Sequence, residues 1–167
     1  MIRRPIKHLL YLVLGCVLLN GCGFYLRGMV DAPLWIDDVA IIVQAANRAL
    51  GPELKKQLTA YHIHVEAQPA DAKYWLIIES DHEEQHVTSV SSSTTPRQYQ
   101  MSYQVKFKVQ EAKGKEIIPT RSVITTRQLT VNSNRILGSN DEENTLKREM
   151  RQDAVIQIIA RLGHYQP

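Results

Sequence analysis

A chain of 167 residues, 44% hydrophobic and 22% charged, is long enough to bury one self-sufficient core. Its formal net charge of +3 is carried by Arg3, Arg4 and Lys7; without them 17 of the 20 basic residues stand against 17 acidic ones. A balanced remainder with no basic cluster offers no electrostatic footprint for nucleic acid, which excludes that partner.

The three cations precede an apolar run, Leu9 to Leu19, that closes in Leu19-Asn20-Gly21-Cys22. This is the layout of a bacterial export signal ending in a lipobox, with small Gly21 permitting cleavage before Cys22. The eleven residues of the run fall well short of the roughly 20 that span a bilayer. Residues 1–21 are therefore expected to be removed, 22–33 to form an acylated tether and 34–167 to fold as a single α+β domain. Cys16 would leave with the signal and Cys22 would become the lipidated terminus, so no disulfide is expected. Several acyl chains on one residue anchor stably, at about 0.8 kcal/mol per buried CH₂. Gly23 stands where an Asp would favour the inner membrane, which points to the periplasmic face of the outer membrane.

Within Trp35 to Val43, the β-branched run Val39-Ala40-Ile41-Ile42-Val43 predicts a buried strand. Leu50, Leu54, Leu58 and Tyr61 then line one face of a helix from about Asn47 to Tyr61, with Pro52 tolerable in its first turn. A strand-like piece from Ile63 to Ala67 and a turn through Pro69-Ala70-Asp71 lead to Tyr74–Ile78, so the first elements form a β-α-β unit. Tyr99, Met101, Tyr103, Val105, Phe107 and Val109 alternate with Gln98, Gln100, Ser102, Gln104, Lys106 and Lys108, which predicts a half-buried strand. Trp75 to about Val90 precedes it and Ile117 to about Leu129 follows it. The turn Lys113-Gly114-Lys115 makes the three an antiparallel meander. The tip from Ser89 to Pro96 is Ser/Thr-rich, has little to bury, and is expected to be mobile.

After a polar loop, Thr130 to Gly138, Ser139 and Glu142 match a capping box, and Asp141-Glu142-Glu143 would sit on the positive helix start. Leu146, Met150, Ala154, Val155, Ile158, Ile159 and Leu162 line one face of the helix that follows, which Gly163 and Pro167 stop. Two amphipathic helices need the same apolar sheet face. The expected architecture is a two-layer sandwich, β-α-β-β-β-α, with both helices on one face of a mixed four-stranded sheet. The opposite face, carrying Gln98, Gln100, Ser102, Gln104, Thr126 and Gln128, has nothing in the chain to cover it, and reads equally as a solvated face or a partner surface.

His82-Glu83-Glu84-Gln85-His86 matches the H-E-x-x-H pattern of zinc hydrolases, which has meaning only on a helix. On a strand, His82, Glu84 and His86 share one face and Glu83, the supposed base, points away. His62 and His64 could also pair on a strand face, but two imidazoles alone make no more than an adventitious site. The serines of Ser89–Ser93 have no G-x-S-x-G elbow and there is no Gly-rich phosphate loop. No catalytic set, metal or cofactor is expected, so the chain reads as a non-enzyme.

Cys22-Gly23-Phe24-Tyr25-Leu26-Arg27-Gly28 resembles the C-G-aromatic-x-L-R start of the lipopolysaccharide-assembly lipoprotein family LptE. Tyr99-Gln100-Met101, Lys147-Arg148-Glu149-Met150, Asp153-Ala154 and Arg161-Leu162 extend the resemblance over the mature chain. The resemblance implies a plug inside the LptD-type outer-membrane β-barrel, help with that barrel's assembly, and lipopolysaccharide binding during delivery to the outer leaflet. Phe24 and Tyr25 would then sit at the membrane interface or pack on the domain. Lipid A phosphates would need cations near the loop tips, and Arg97 and Arg135 are the candidates. The chain departs from the family at Ser139, where members often carry a basic residue just ahead of the last helix. An envelope lipoprotein that regulates a peptidoglycan synthase or another envelope complex would share the same anchor and domain type.

Overall fold

A computed structural model describes Pro33 and residues 35–90, 96–131 and 136–165, with the backbone alone for 96, 97 and 136–139. The elements in chain order are β1 (Asp38–Ala45), α1 (Leu50–Ala60), β2 (His64–Glu66), β3 (Tyr74–Val90), β4 (Pro96–Glu111), β5 (Glu116–Thr130) and α2 (Ile136–Gly163). They build one mixed sheet in the order β2-β1-β3-β4-β5, parallel between β2, β1 and β3 and antiparallel from β3 to β5. Among the described residues no helix is long and apolar enough to cross a membrane.

The sheet has five strands where four were expected. The additional strand is the short piece after the first helix. His64, Val65 and Glu66 pair with Asp38, Val39 and Ala40, and Val65 packs against the core beside Val39. Three residues are too few for a two-residue period to declare itself, so this strand is fixed by its partner and not by its own pattern.

Both helices lie over the same sheet face. Leu50, Leu54 and Leu58 of α1 and Met150, Ala154, Val155, Ile158, Ile159 and Leu162 of α2 share one buried cluster with Val39, Leu76, Ile78, Met101, Tyr103, Val105, Phe107, Val109, Val123 and Leu129. The first helix starts three residues after Asn47. The Asn47 side chain accepts from the Ala49 N–H at 2.9 Å and its carbonyl from the Leu50 N–H at 3.0 Å, so Asn47 builds the turn ahead of the helix. The same helix ends on His62 at φ 64°, with the His62 N–H on Thr59 O and the Ile63 N–H on Leu58 O. This is a Schellman closure with a histidine where glycine is usual. His62 therefore lies in no strand and shares no strand face with His64, which removes that pairing.

The last helix begins at Ile136, so Ser139 lies within its first turn and is not its cap. Asp141, Glu142 and Glu143 fall in the second turn. Gly138 and Ser139 read locally as a loop ending in a cap; the chain instead accepts their modest helix cost near the terminus of a long element. At the other end, the Trp35 indole donates to Leu162 O at 2.8 Å and its ring meets Tyr74 at 5.5 Å and Tyr165 at 5.3 Å. The segment leading into β1 is thus fastened to the C-terminal end of α2.

Candidate functional site

The candidate site is the sheet face away from the helices, and a bulge decides which side chains it carries. Ile78 pairs with Phe107 but Ser80 pairs with Lys106, so Glu79 is an extra residue in β3. A one-residue insertion exchanges the two faces of everything that follows. Leu76 and Ile78 point to the helices before it; Asp81, Glu83 and Gln85, opposite Val105, Tyr103 and Met101, point there after it. The helix side of the upper hairpin consequently holds a polar cluster. The Tyr103 hydroxyl donates to Asp81 at 2.7 Å, and Glu83 meets Lys147 at 3.5 Å and Arg151 at 4.0 Å. Burial, and then the Asp81 carboxylate, push the Tyr103 phenol well above the ordinary tyrosine range. The Glu143 carboxylate raises Lys147.

On the open side, the pairings align three rows across β3, β4 and β5: His86, Gln100 and Gln128; Glu84, Ser102 and Thr126; His82, Gln104 and Ile124. Gln98 and Thr130 continue the same face toward the hairpin tip, and Lys106 and Ser122 continue it toward the base. Gln100, Thr126 and Gln128 are exposed, Ser102 and Gln104 half-buried, and Ile124 is an exposed apolar side chain among them. A depression of about 260 Å³ is lined by Gln100, Thr126, Arg127 and Gln128. Among the described residues, the chain covers only the base of this face. There the Trp75 indole donates to Pro69 O at 2.7 Å, and Ala40 and Ile77 are buried outside the main core. Beside it Lys108 pairs with Glu79 at 3.4 Å, and Thr120 donates to the same carboxylate.

The H-E-x-x-H sequence lies wholly within β3. His82 and His86 approach the two oxygens of Glu84 at 3.2 and 3.3 Å, and these contacts, His86 first, hold its carboxyl below the usual range. Glu83 faces α2 on the other side of the sheet, as the strand reading required. Among the described residues no group of three His, Cys, Asp or Glu side chains is placed to hold a metal ion. What β4 and β5 offer on this face is a set of planar amides and hydroxyls able both to donate and to accept hydrogen bonds, beside the His82, Glu84 and His86 cluster of β3.

Of the residues singled out in the sequence, Gln98, Gln100, Ser102, Gln104, Thr126 and Gln128 do come together. The extension through His82, Glu84 and His86 was visible as a period of two but could not be aligned with Gln104, Ser102 and Gln100 without the register. Arg97 is the second residue of β4 and its side chain lies outside the described residues, as do Arg135, Cys22, Phe24, Tyr25 and 91–95 of the tip. The strands run on to Val90 and resume at Pro96, so the ladder takes in both ends of the expected tip.

Three solved structures share this fold. An uncharacterized lipoprotein B from Nitrosomonas europaea superposes with a TM-score of 0.66 at 23% identity, over 84% of this chain and 90% of that one. A minor lipoprotein from Acinetobacter baumannii follows at 0.62 and 20%, over 77% and 96%. The rare lipoprotein B from Shewanella oneidensis gives 0.61 and 17%, over 74% and 92%. Among curated protein sequences none matches. The family model LptE, lipopolysaccharide-assembly, matches residues 37–162, from just before β1 to the end of the α2 stripe. A match over that much of the chain, on the same arrangement of strands and helices, places the protein in the LptE family of lipopolysaccharide-assembly proteins.

Proposed function

We infer that this protein is an outer-membrane lipoprotein, cleaved after residue 21 and acylated on Cys22, that plugs a large LptD-type β-barrel from the periplasmic side. In that role it is not an enzyme: it helps the barrel assemble and assists insertion of lipopolysaccharide into the outer leaflet. The observation that carries this reading is the open face of amides and hydroxyls on β4 and β5, joined to family membership. A large barrel has a polar, hydrated interior, and uncharged hydrogen-bonding groups can satisfy such a wall without stranding a buried charge. Arg97 and Arg135 are assigned to the lipid A phosphates because guanidinium groups make paired, charge-assisted bonds to phosphate.

The test is purification of the tagged protein from native outer membranes in mild detergent, with the co-purifying partners and their ratio determined. A large β-barrel protein at one to one is the expected result. A murein synthase, or no partner, would contradict the plug and favour the regulator of another envelope complex.

A further inference from the structure

A second site lies at the opposite corner of the domain from the hairpin tip. Between the start of β5 and the last turns of α2 opens a cleft of about 410 Å³. Buried Ile118 and half-buried Gln157, Ala160 and Tyr165 make its floor, and exposed Arg121, Arg161 and His164 its rim.

Arg121 occupies a position that the strand pattern reserves for the core. It pairs with Phe107, so its side chain leaves the sheet on the helix side, in line with Ile118 and Val123. Arg127 on the same strand and the same side has its answer in Asp153 of α2. Arg121 has none. Among the described residues neither Arg121 nor Arg161 is in an ion pair, and the stretch from Ala154 to Tyr165 contains no acidic residue. Arg161 complements the negative end of the helix, and the His164 Nδ1–H donates to Ala160 O at 2.6 Å, leaving the other ring nitrogen on the rim. Among the described residues the corner is therefore cationic above a largely apolar floor, with no acidic side chain paired to its arginines.

Its place in the molecule says which anion. Tyr165, part of the floor, packs on Trp35, and Trp35 is where the chain arrives from the expected acyl anchor. The residues between Cys22 and Pro33 span at most about 40 Å fully extended, which keeps this corner within reach of the leaflet that holds the lipid. We propose that the cleft between β5 and the C-terminal end of α2 binds the headgroup of an anionic phospholipid. The phosphate sits between Arg121 and Arg161, and the glycerol and first acyl methylenes lie on Ile118, Ala160 and Tyr165. This assignment uses the anchored reading only to orient the domain, and it is independent of whether a barrel is the partner.

The experiment titrates the purified acylated protein, in a neutral detergent, with monomeric dihexanoyl-phosphatidylglycerol and follows tryptophan fluorescence. Dihexanoyl-phosphatidylcholine and inorganic phosphate are titrated in parallel. Saturable binding of the phosphatidylglycerol is expected, at least tenfold tighter than of the zwitterionic lipid, with no comparable saturation by phosphate. The R121Q/R161Q protein should bind about 30-fold more weakly, the sum of two arginine contributions near a lipid surface. R127Q, which removes a paired arginine of the same strand, should bind as the parent does. Equal binding of both lipids, equal binding of free phosphate, or full retention in R121Q/R161Q would each overturn the proposal. Because the readout is lipid bound to purified protein, failure here leaves the barrel partnership untouched, and failure of that partnership leaves this result standing.

Discussion

The two faces of β4 carry the lesson of this molecule. Its helix-side residues, Met101, Tyr103, Val105, Phe107 and Val109, are all 3% exposed or less, under helices that the same chain supplies. The residues between them, Gln100, Ser102, Gln104, Lys106 and Lys108, form a hydrogen-bonding surface that no element of the described chain covers above the base. Alternation along one strand therefore separates two tasks. One face holds the fold, and changes there are read in stability. The other is spared that duty and is free to be read by a partner.

Substitutions on neighbouring residues of this strand should break that division if it is wrong. Phe107→Ala removes a fully buried ring and should lower the unfolding free energy by about 3–5 kcal/mol, measured by denaturant titration. Gln104→Ala, on the opposite face of the same strand, should change it by no more than about 0.5 kcal/mol. A comparable loss in both would mean that the open face is also structural.

Tyr103→Phe sharpens the comparison from the covered side. It deletes the donor to Asp81 and should cost about 1–2 kcal/mol at neutral pH. The folded-state phenol is raised above its ordinary value of 10.0. The stabilisation it gives is thus complete below that pH and is lost as the pH climbs beyond it, where the unfolded chain ionises first. The parent should lose stability steeply in that alkaline range and Tyr103→Phe less so; parallel profiles would argue against a buried, carboxylate-bonded phenol.

The first helix of the covering layer ends on a misfit. His62 closes α1 at φ 64°, a conformation that costs a residue with a Cβ roughly 1–2 kcal/mol and glycine little. His62→Gly, which also gives up chain entropy, should gain about 0.5–1 kcal/mol in the same titration. The smallest effect belongs to the open face itself: Gln100→Ala and Thr126→Ala should leave the unfolding midpoint unchanged within error while reducing recovery of the membrane partner.

Periodicity made the two helices, the four longer strands and the amide-rich face legible in the sequence. The failures share a cause. The strand-like piece from Ile63 to Ala67 joins the sheet as β2, beyond the four strands expected, because Val39 offers it a partner; the start of α2 is set by what precedes Ser139, and the faces of upper β3 depend on the single residue Glu79. Each is decided by pairing at long range, which local pattern cannot register. The H-E-x-x-H motif went the other way: its strand context was readable, and the separation of Glu83 from His82 and His86 followed from that alone. The cleft at Arg121 was not legible, because an arginine at an inward position means something only once Arg127 is seen to have Asp153 and Arg121 to have no acidic partner among the described residues.

The most direct test of the division between the two faces is photocrosslinking in native outer membranes. A photoreactive side chain would be placed at Gln100, Gln104 or Thr126 on the open face, and at Lys55 on α1 for comparison. The three open-face positions should crosslink to one and the same large β-barrel protein. Barrel crosslinks from Lys55 with none from the open face would contradict that division, and so would an open face that crosslinks to nothing.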